Sequence, residues 1–270
     1  MPGDANNKTV RDLPKLLALT GSLVEFTEKL LAEPIRYSED DHLAFMGLLS
    51  VSQQLQFLKS IRLLVENNLG ASAGLIARAM LEGMYLFLWC AKDSPSRPLQ
   101  WRAFSLVKDF RLMMHKGTKG EVVDPAREGK ILDGLGKYGD ALLNNKGREA
   151  RKKGKQPLLN DYITKWPSVS KKQMFEEVEE VEGSLLYQEV YSYMSDLTHW
   201  DIASFAGRIR RGSQVVCFLE DSSRTESATA LAVGYQSLLQ SIELLDSHLR
   251  LKKGQGISDL KQQYIATLQT

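Results

Sequence analysis

The sequence predicts an all-α protein that folds as a single bundle of six to seven helices. Three observations carry this prediction. Apolar residues recur at helical spacing through most of the chain, cap residues precede several of these stretches, and strand-like sequence is confined to one short segment. That segment is residues 207–221, where β-branched residues flank Arg211-Gly212-Ser213, and there we predict at most one small β-hairpin.

The length of the chain leaves room for one large domain or two small ones, and we predict one. The bundle is expected to occupy residues 10–251, after a disordered polar leader at residues 1–9. Residues 252–270 are expected to form a loosely attached C-terminal helix. The hydrophobic fraction of 43% is ordinary for a globular protein, and the net charge of +2 indicates no global attraction to nucleic acid or membrane.

Cysteine usage and the absence of cofactor motifs exclude several kinds of site. Cys90 and Cys217 lie far apart in apolar surroundings without metal-binding spacing, so we expect two buried free thiols in a reducing compartment. The expected location is the cytoplasm. The sequence contains neither a phosphate-binding loop nor a dinucleotide-binding fingerprint, and we expect no metal and no cofactor.

Cap residues predict where the first two helices begin. Asp12 can cap a helix that has Pro14 in its first turn, where the missing N–H costs little, and that helix ends before Pro34. Ser38 and Asp41 resemble a capping box for a second, long helix.

The third helix, Ala71–Ala91, is the most apolar stretch of the chain. It carries only two charges, Arg78 and Glu82, which share one side of a helix because they are four residues apart. A helix that is apolar all round is either the centre of a bundle or a membrane span. Each charge near the middle of a span would cost about 2.5–3.5 kcal/mol, so we favour a buried central helix with an internal ion pair.

A fourth helix is predicted over residues 99–115, and Asp124-Pro125 opens a weaker fifth helix. Residues 146–155 follow, with six basic residues in ten, and they predict a solvated mobile loop. The alternative is a loop that contacts phosphates of a nucleic acid. Base stacking is not expected because no aromatic residue interrupts the basic run. The candidate nucleic-acid-binding residues are Arg148, Arg151, Lys152, Lys153 and Lys155.

Ser170 and Gln173 form a second capping box, and we predict that the helix they open continues to His199 with a bend at Gly183. Its glutamates at 176–182 are assigned to the first turns, where the helix dipole favours negative charge. A last long helix completes the bundle.

Tyr191, Ser195 and His199 follow a four-residue step and therefore share one helix face. This face is either a solvent-exposed helix end or a polar pocket in which His199 meets Arg78 and Glu82. A serine nucleophile is disfavoured because Ser195 and His199 would project in parallel and no glycine-flanked elbow is present. The acidic neighbours of His199 lack the spacing of bundle metal sites.

These residues carry a family resemblance. The helix containing R-x-x-x-E and the helix containing Y-x-x-x-S-x-x-x-H resemble a bacterial all-helical family known only as domain-of-unknown-function family 5677. The resemblance covers about residues 40–250, and it implies a fold and the location of a site but no reaction. The residues that carry it are Arg78, Glu82, Tyr191, Ser195 and His199.

A broader resemblance is to the HEPN class of helical domains, whose motif is an arginine followed after four to six residues by a histidine. Arg36 and His42 match that motif literally, whereas His199 has no arginine at this spacing. The resemblance implies a metal-independent ribonuclease of toxin or phage-defence systems. In that reading His199 would be the general acid or base, and Arg78 would stabilise charge on phosphorus. Tyr191 or Ser195 would position the substrate.

Two functions therefore stay open. One is a non-catalytic interaction module, in which the Arg/Glu/Tyr/Ser/His residues form a buried network and the partner is a protein or a second copy of the chain. The other is a HEPN-like ribonuclease or nucleotide-acting enzyme in stress or phage defence, for which RNA would be the partner. A membrane partner is not expected.

Overall fold

The computed structural model describes residues 12–199, 209–211, 216–218 and 224–269, with residues 196–199 and both short 209–211 and 216–218 segments described by their backbone alone. This part of the chain contains ten α-helices, so the prediction of an all-α fold is confirmed and the predicted number of six to seven helices is wrong. The helices are α1 (Leu13–Ala32), α2 (His42–Glu66), α3 (Gly70–Ala91), α4 (Arg97–Thr118), α5 (Pro125–Tyr138), α6 (Asn145–Lys152), α7 (Lys171–Glu179), α8 (Ser192–His199), α9 (Arg224–Leu249) and α10 (Gly254–Gln269).

Backbone conformation explains part of the difference between the predicted and the observed number of helices. The helix predicted from Ser170 to His199 is interrupted because Glu180 and Gly183 adopt left-handed φ angles of 58° and 73°. A right-handed helix cannot continue through such residues. The chain becomes helical again as a π turn at Leu186–Tyr191, which runs directly into α8.

Local caps set several helix starts as predicted. The side chains of Asp12, Asp124 and Ser170 each accept a hydrogen bond from a backbone N–H in the first turn of their helix. The capping box predicted for α2 is wrong. Asp41 alone caps this helix by accepting a hydrogen bond from the N–H of Ala44 at 2.9 Å, and Ser38 does not take part in the cap. Asp41 is closer to the helical residues, so its carboxylate reaches the first turn.

Helix α3 is the central helix, as predicted, and it packs against α2, α7 and α9. Its fully buried residues join the larger of two hydrophobic clusters. Helix α2 lies close to Phe87 of α3 and Leu245 of α9 because Gly47 has no Cβ. A Cβ at position 47 would lie 2.7 Å from the Phe87 ring and 2.9 Å from Leu245. Cys90 is buried and free, and burial raises the pKa of its thiol to about 12.

Among the described helices, α3 alone is long and apolar enough to cross a membrane by length and composition. A buried core helix meets the same two criteria, so this finding is weak evidence for a span. Here α3 buries Ala73, Ala77, Met80 and Met84 inside the protein.

A second, smaller hydrophobic cluster lies between α4, α5 and the turns that follow them. Val107 and Phe110 of α4 pack there against Ile131 and Leu135 of α5. Trp166 packs against both clusters and so joins the two parts of the core.

The remaining described segments extend the bundle. Two short strands, β1 (Ile209–Arg211) and β2 (Val216–Phe218), pair antiparallel. In α10, Ile257 and Leu260 are buried in the larger cluster, and Tyr264 stacks on a tyrosine of α9 with ring centroids 4.7 Å apart. The predicted leader at residues 1–9 lies outside the described residues.

Candidate functional site

The two charges of the central helix form the predicted ion pair. Arg78 Nε donates to Glu82 Oε1 at 3.2 Å, across one turn of α3. The Arg78 side chain is 17% exposed and that of Glu82 is 25% exposed. The pair therefore lies at the edge of the core, where its electrostatic interaction is screened less than on an open surface.

Tyr191 closes this pair into a three-residue network. Its hydroxyl donates to Glu82 Oε1 at 3.0 Å and accepts a hydrogen bond from Arg78 Nη2 at 3.2 Å. The guanidinium also lies 5.1 Å from the centroid of the Tyr191 ring, within cation–π distance. Residues more than a hundred positions apart in the chain thus meet.

Lys171 is a fourth member that sequence reasoning missed. Its Nζ donates to Glu82 Oε2 at 2.7 Å. The capping box at Ser170 sets the start of α7 at Lys171, but no pattern along the chain indicates that this end of α7 meets the middle of α3. Both carboxylate oxygens of Glu82 consequently accept hydrogen bonds from charged or phenolic donors.

These contacts determine which groups are ionised. Burial favours the neutral form of Glu82, but the hydrogen bonds from Lys171 and Tyr191 and the charge of Arg78 outweigh it, and the pKa of Glu82 is lowered. Burial raises the pKa of the Tyr191 hydroxyl, although Arg78 opposes that shift. These shifts favour the carboxylate form of Glu82 and the neutral phenol form of Tyr191 at neutral pH.

An aromatic cluster surrounds the network, and sequence reasoning missed it too. The Tyr85 and Phe175 rings stack with centroids 3.7 Å apart, which fixes α7 against α3. Tyr187 stacks on Tyr191 at 5.0 Å, and Phe175 packs against both of these tyrosines. The ring of Tyr191 is thereby held in place by its neighbours as well as by its hydrogen bonds.

The glutamates of α7 lie near its end and bind side chains of other helices. The helix ends at Glu179, so Glu176–Glu179 fall in its last turns and the dipole explanation is wrong. Glu177 accepts hydrogen bonds from Trp89 Nε1 and Arg97 Nη1, both at 2.7 Å. Tyr85 donates to Glu179. Together with the contact of Lys171 with Glu82, these contacts join both ends of α7 to α3.

The remaining site candidates lie on α8. Ser195 is partly buried on this helix. His199 is its last residue, and the side chain of His199 lies outside the described part of the structure. The meeting of His199 with Arg78 therefore stays a prediction.

Arg36 and His42, which match the arginine–histidine motif, form no hydrogen bond or ion pair with each other in the described structure of residues 12–199. Arg36 is exposed, and His42 begins α2 with its Nδ1 3.4 Å from Arg102 Nη1. Burial and the charge of Arg102 lower the pKa of His42. His42 thus belongs to the junction between α2 and α4, away from the Arg78 network.

The basic segment forms a helix, and the predicted loop is wrong for most of its length. Helix α6 covers Asn145–Lys152 because the Asn144 side chain caps its first turn. Asp140 binds Arg151 through both carboxylate oxygens, at 3.1 and 3.0 Å, and Glu149 binds Lys152 at 2.7 Å. The other three candidates are exposed and form no ion pair with any described residue: Arg148, Lys153 and Lys155.

Comparison with known proteins assigns the chain to a family. A family model described as a family of unknown function, DUF5677, matches residues 44–215. No curated protein and no solved structure matches the chain. The matched region covers more than half of the chain and contains Arg78, Glu82 and Tyr191, and the chain therefore belongs to the DUF5677 family.

Proposed function

We propose that this protein is a non-catalytic interaction module, in which the network of Arg78, Glu82, Tyr191 and Lys171 holds α7 and the π turn on α3. The observation that carries the proposal is the Tyr191 hydroxyl, which donates to Glu82 and accepts from Arg78. A carboxylate that acts in catalysis needs an oxygen directed at substrate. In Glu82 both oxygens already accept hydrogen bonds within the protein.

The surface that this network positions is suited to a protein partner. Three large apolar side chains are exposed on the segment that connects α7 with α8 and on α8 itself: Val181, Leu185 and Tyr193. Exposed apolar residues that are close in the chain and rimmed by polar groups are typical of protein–protein contacts. Glu182 and Glu189 are exposed beside them, so the expected partner carries an apolar patch bordered by lysine or arginine.

A matched pair of leucines tests this surface. Leu185 and Leu158 are both 67% exposed, but Leu158 directly precedes the 3-10 turn Leu159–Asp161, outside the segment that connects α7 with α8. If the partner is a second copy of the chain, Leu185→Asp is expected to abolish self-association measured by sedimentation. If the partner is another protein that binds the purified chain with a measurable Kd, Leu185→Asp is expected to abolish that binding. Leu158→Asp should leave the same binding intact. Equal binding by both variants would exclude this surface.

One observation favours a second candidate, a HEPN-like ribonuclease. Arg78 contacts Tyr191 at the end of the π turn, directly before the helix α8 that carries Ser195 and His199. The Arg78 and Glu82 side chains keep some solvent exposure. In this reading His199 accepts the proton of the RNA 2′-hydroxyl as its oxygen bonds to phosphorus. It then donates that proton to the 5′-oxygen as the bond between phosphorus and this oxygen breaks, while Arg78 stabilises the charge on phosphorus. Labelled RNA cut by the parent protein and left intact by His199→Ala would support it, and RNA left intact by both would remove it.

A further inference from the structure

The turn that ends α6 is folded so that Lys155 has a fixed position. Gly154 adopts a left-handed φ of 69°, and its N–H donates to the Arg151 carbonyl at 2.9 Å. The N–H of Lys155 donates to the Ala150 carbonyl at 3.0 Å. These two bonds are the Schellman pattern of a helix C-terminus. Pro157 follows, and it is buried.

This turn forms one wall of a cleft of about 300 Å³ between α5 and α6. The other walls are apolar and come from α4 and α5, with Phe110, Leu132 and Leu135. Tyr162 also lines the cleft, and its ring packs edge to face on Phe110. We call this space the α5–α6 cleft; its volume is at the lower end of the range of about 300–1,000 Å³ for small-molecule sites.

The charges at the mouth of the cleft leave one cation uncompensated. Arg151 and Lys155 both line it. Asp140 offsets the charge of Arg151 through two contacts near 3 Å. Lys155 forms no ion pair with any residue of the described ranges, and its side chain is exposed. The cleft therefore combines aromatic and aliphatic walls with a single net positive charge.

We infer that the α5–α6 cleft binds a small ring compound that carries one anionic group. Its ring would lie between the aliphatic wall and the Phe110 and Tyr162 rings, which bury flat apolar groups well. Its carboxylate, sulfonate or phosphate would face Lys155, with the Arg151 guanidinium beside it. This site shares no residue with the Arg78 network, so the inference is independent of the proposed function.

Two glycines of α5 make the cleft testable. A Cβ at Gly136, which lines the cleft, would meet no other atom within 4 Å, and the same is true of Gly129, which does not line it. A leucine at either position is compatible with the helix and improves its helical propensity. Gly136→Leu is expected to fill the cleft, and Gly129→Leu is its matched control.

The probe is 8-anilino-1-naphthalenesulfonate, compared with its neutral counterpart N-phenyl-1-naphthylamine, in fluorescence titrations of the full chain. We expect saturable binding of the sulfonate at one site. Gly136→Leu should weaken it by about tenfold, which corresponds to about 1.4 kcal/mol, and Gly129→Leu should not change it. Lys155→Gln should weaken binding of the sulfonate by about threefold to fivefold, as for an exposed ion pair, and leave binding of the neutral probe unchanged.

Three results would overturn the inference. They are the absence of saturable binding, equal affinities of the two glycine variants for the sulfonate, and an unchanged affinity of Lys155→Gln. Melting temperatures of both glycine variants at or above that of the parent protein would show that any loss of binding comes from a filled cleft and not from unfolding.

Discussion

At the scale of single residues, the Tyr191 hydroxyl is the most informative group because it joins both members of the ion pair. Arg78 and Glu82 could pair in an isolated helix, where such a pair contributes only about 0.3–0.5 kcal/mol. With Tyr191 and Lys171 added, the same carboxylate accepts three hydrogen bonds from three helical segments. The network thus links parts of the chain that the ion pair alone does not reach.

Removal of the Tyr191 hydroxyl should therefore destabilise the protein. We expect Tyr191→Phe to lower the free energy of unfolding by about 1–2 kcal/mol, because a half-buried carboxylate and guanidinium each lose a hydrogen bond. The measurement is urea unfolding followed by circular dichroism. Tyr37→Phe, at an exposed tyrosine, is the control and should melt like the parent protein.

The lowered pKa of Glu82 predicts how stability depends on pH. A carboxylate whose folded-state pKa lies below its unfolded value of 4.5 stabilises the protein at higher pH. That contribution is lost as the pH falls below 4.5 and through the folded-state pKa. The difference in unfolding free energy between the parent protein and Glu82→Gln should thus be largest near neutral pH and shrink as the pH falls below 4.5. A difference that is constant across this range would contradict an ionised Glu82 network.

At the scale of helices, the contact of α2 with α3 and α9 depends on Gly47. Gly47→Ala should cost about 1–3 kcal/mol, since its Cβ would press on the buried Phe87 ring and on Leu245. Gly83→Ala in α3 meets only an ordinary contact at 3.9 Å and should stabilise the helix by up to about 1 kcal/mol. The two variants are compared by thermal unfolding, and destabilisation of both by the same amount would argue against the close approach at Gly47.

Helix α7 illustrates why an element can be predicted while its role is not. The Ser170 capping box is a local signal, and it places the start of the helix correctly. The partners of its glutamates are on other elements: Trp89 of α3 and Arg97 of α4 both bind Glu177. Burial would raise the pKa of Glu177, but Arg97 and Trp89 outweigh it and lower that pKa.

At the scale of the whole molecule, Trp166 connects the two hydrophobic clusters. Its ring packs edge to face on Trp89 at 6.1 Å and lies 6.3 Å from Phe104, while its Nε1 donates to Gln100 at 3.0 Å. We therefore expect cooperative unfolding of the two hydrophobic clusters to depend largely on the Trp166 side chain.

We expect Trp166→Ala to reduce stability by about 2 kcal/mol, less than for a fully buried tryptophan because Trp166 is partly exposed. Amide hydrogen exchange should then accelerate more in α5 than in α3, as the smaller core begins to open separately. Phe57→Ala, at a partly buried aromatic residue of α2 that packs on the larger cluster, is the control. If exchange in α5 and α3 rises equally in the Trp166 variant, Trp166 does not couple the cores.

Sequence patterns are enough to predict the all-α class, the central position of α3, the pairing of Arg78 with Glu82 and the caps at Asp12, Asp124 and Ser170. All of these follow from residues within a few positions of one another, where helical spacing decides which groups meet. Only the packing of elements against one another brings Lys171 to Glu82 and forms the cleft beside Lys155. These features join groups that are far apart in the chain or depend on how neighbouring elements pack, and periodicity carries no information about which elements become neighbours.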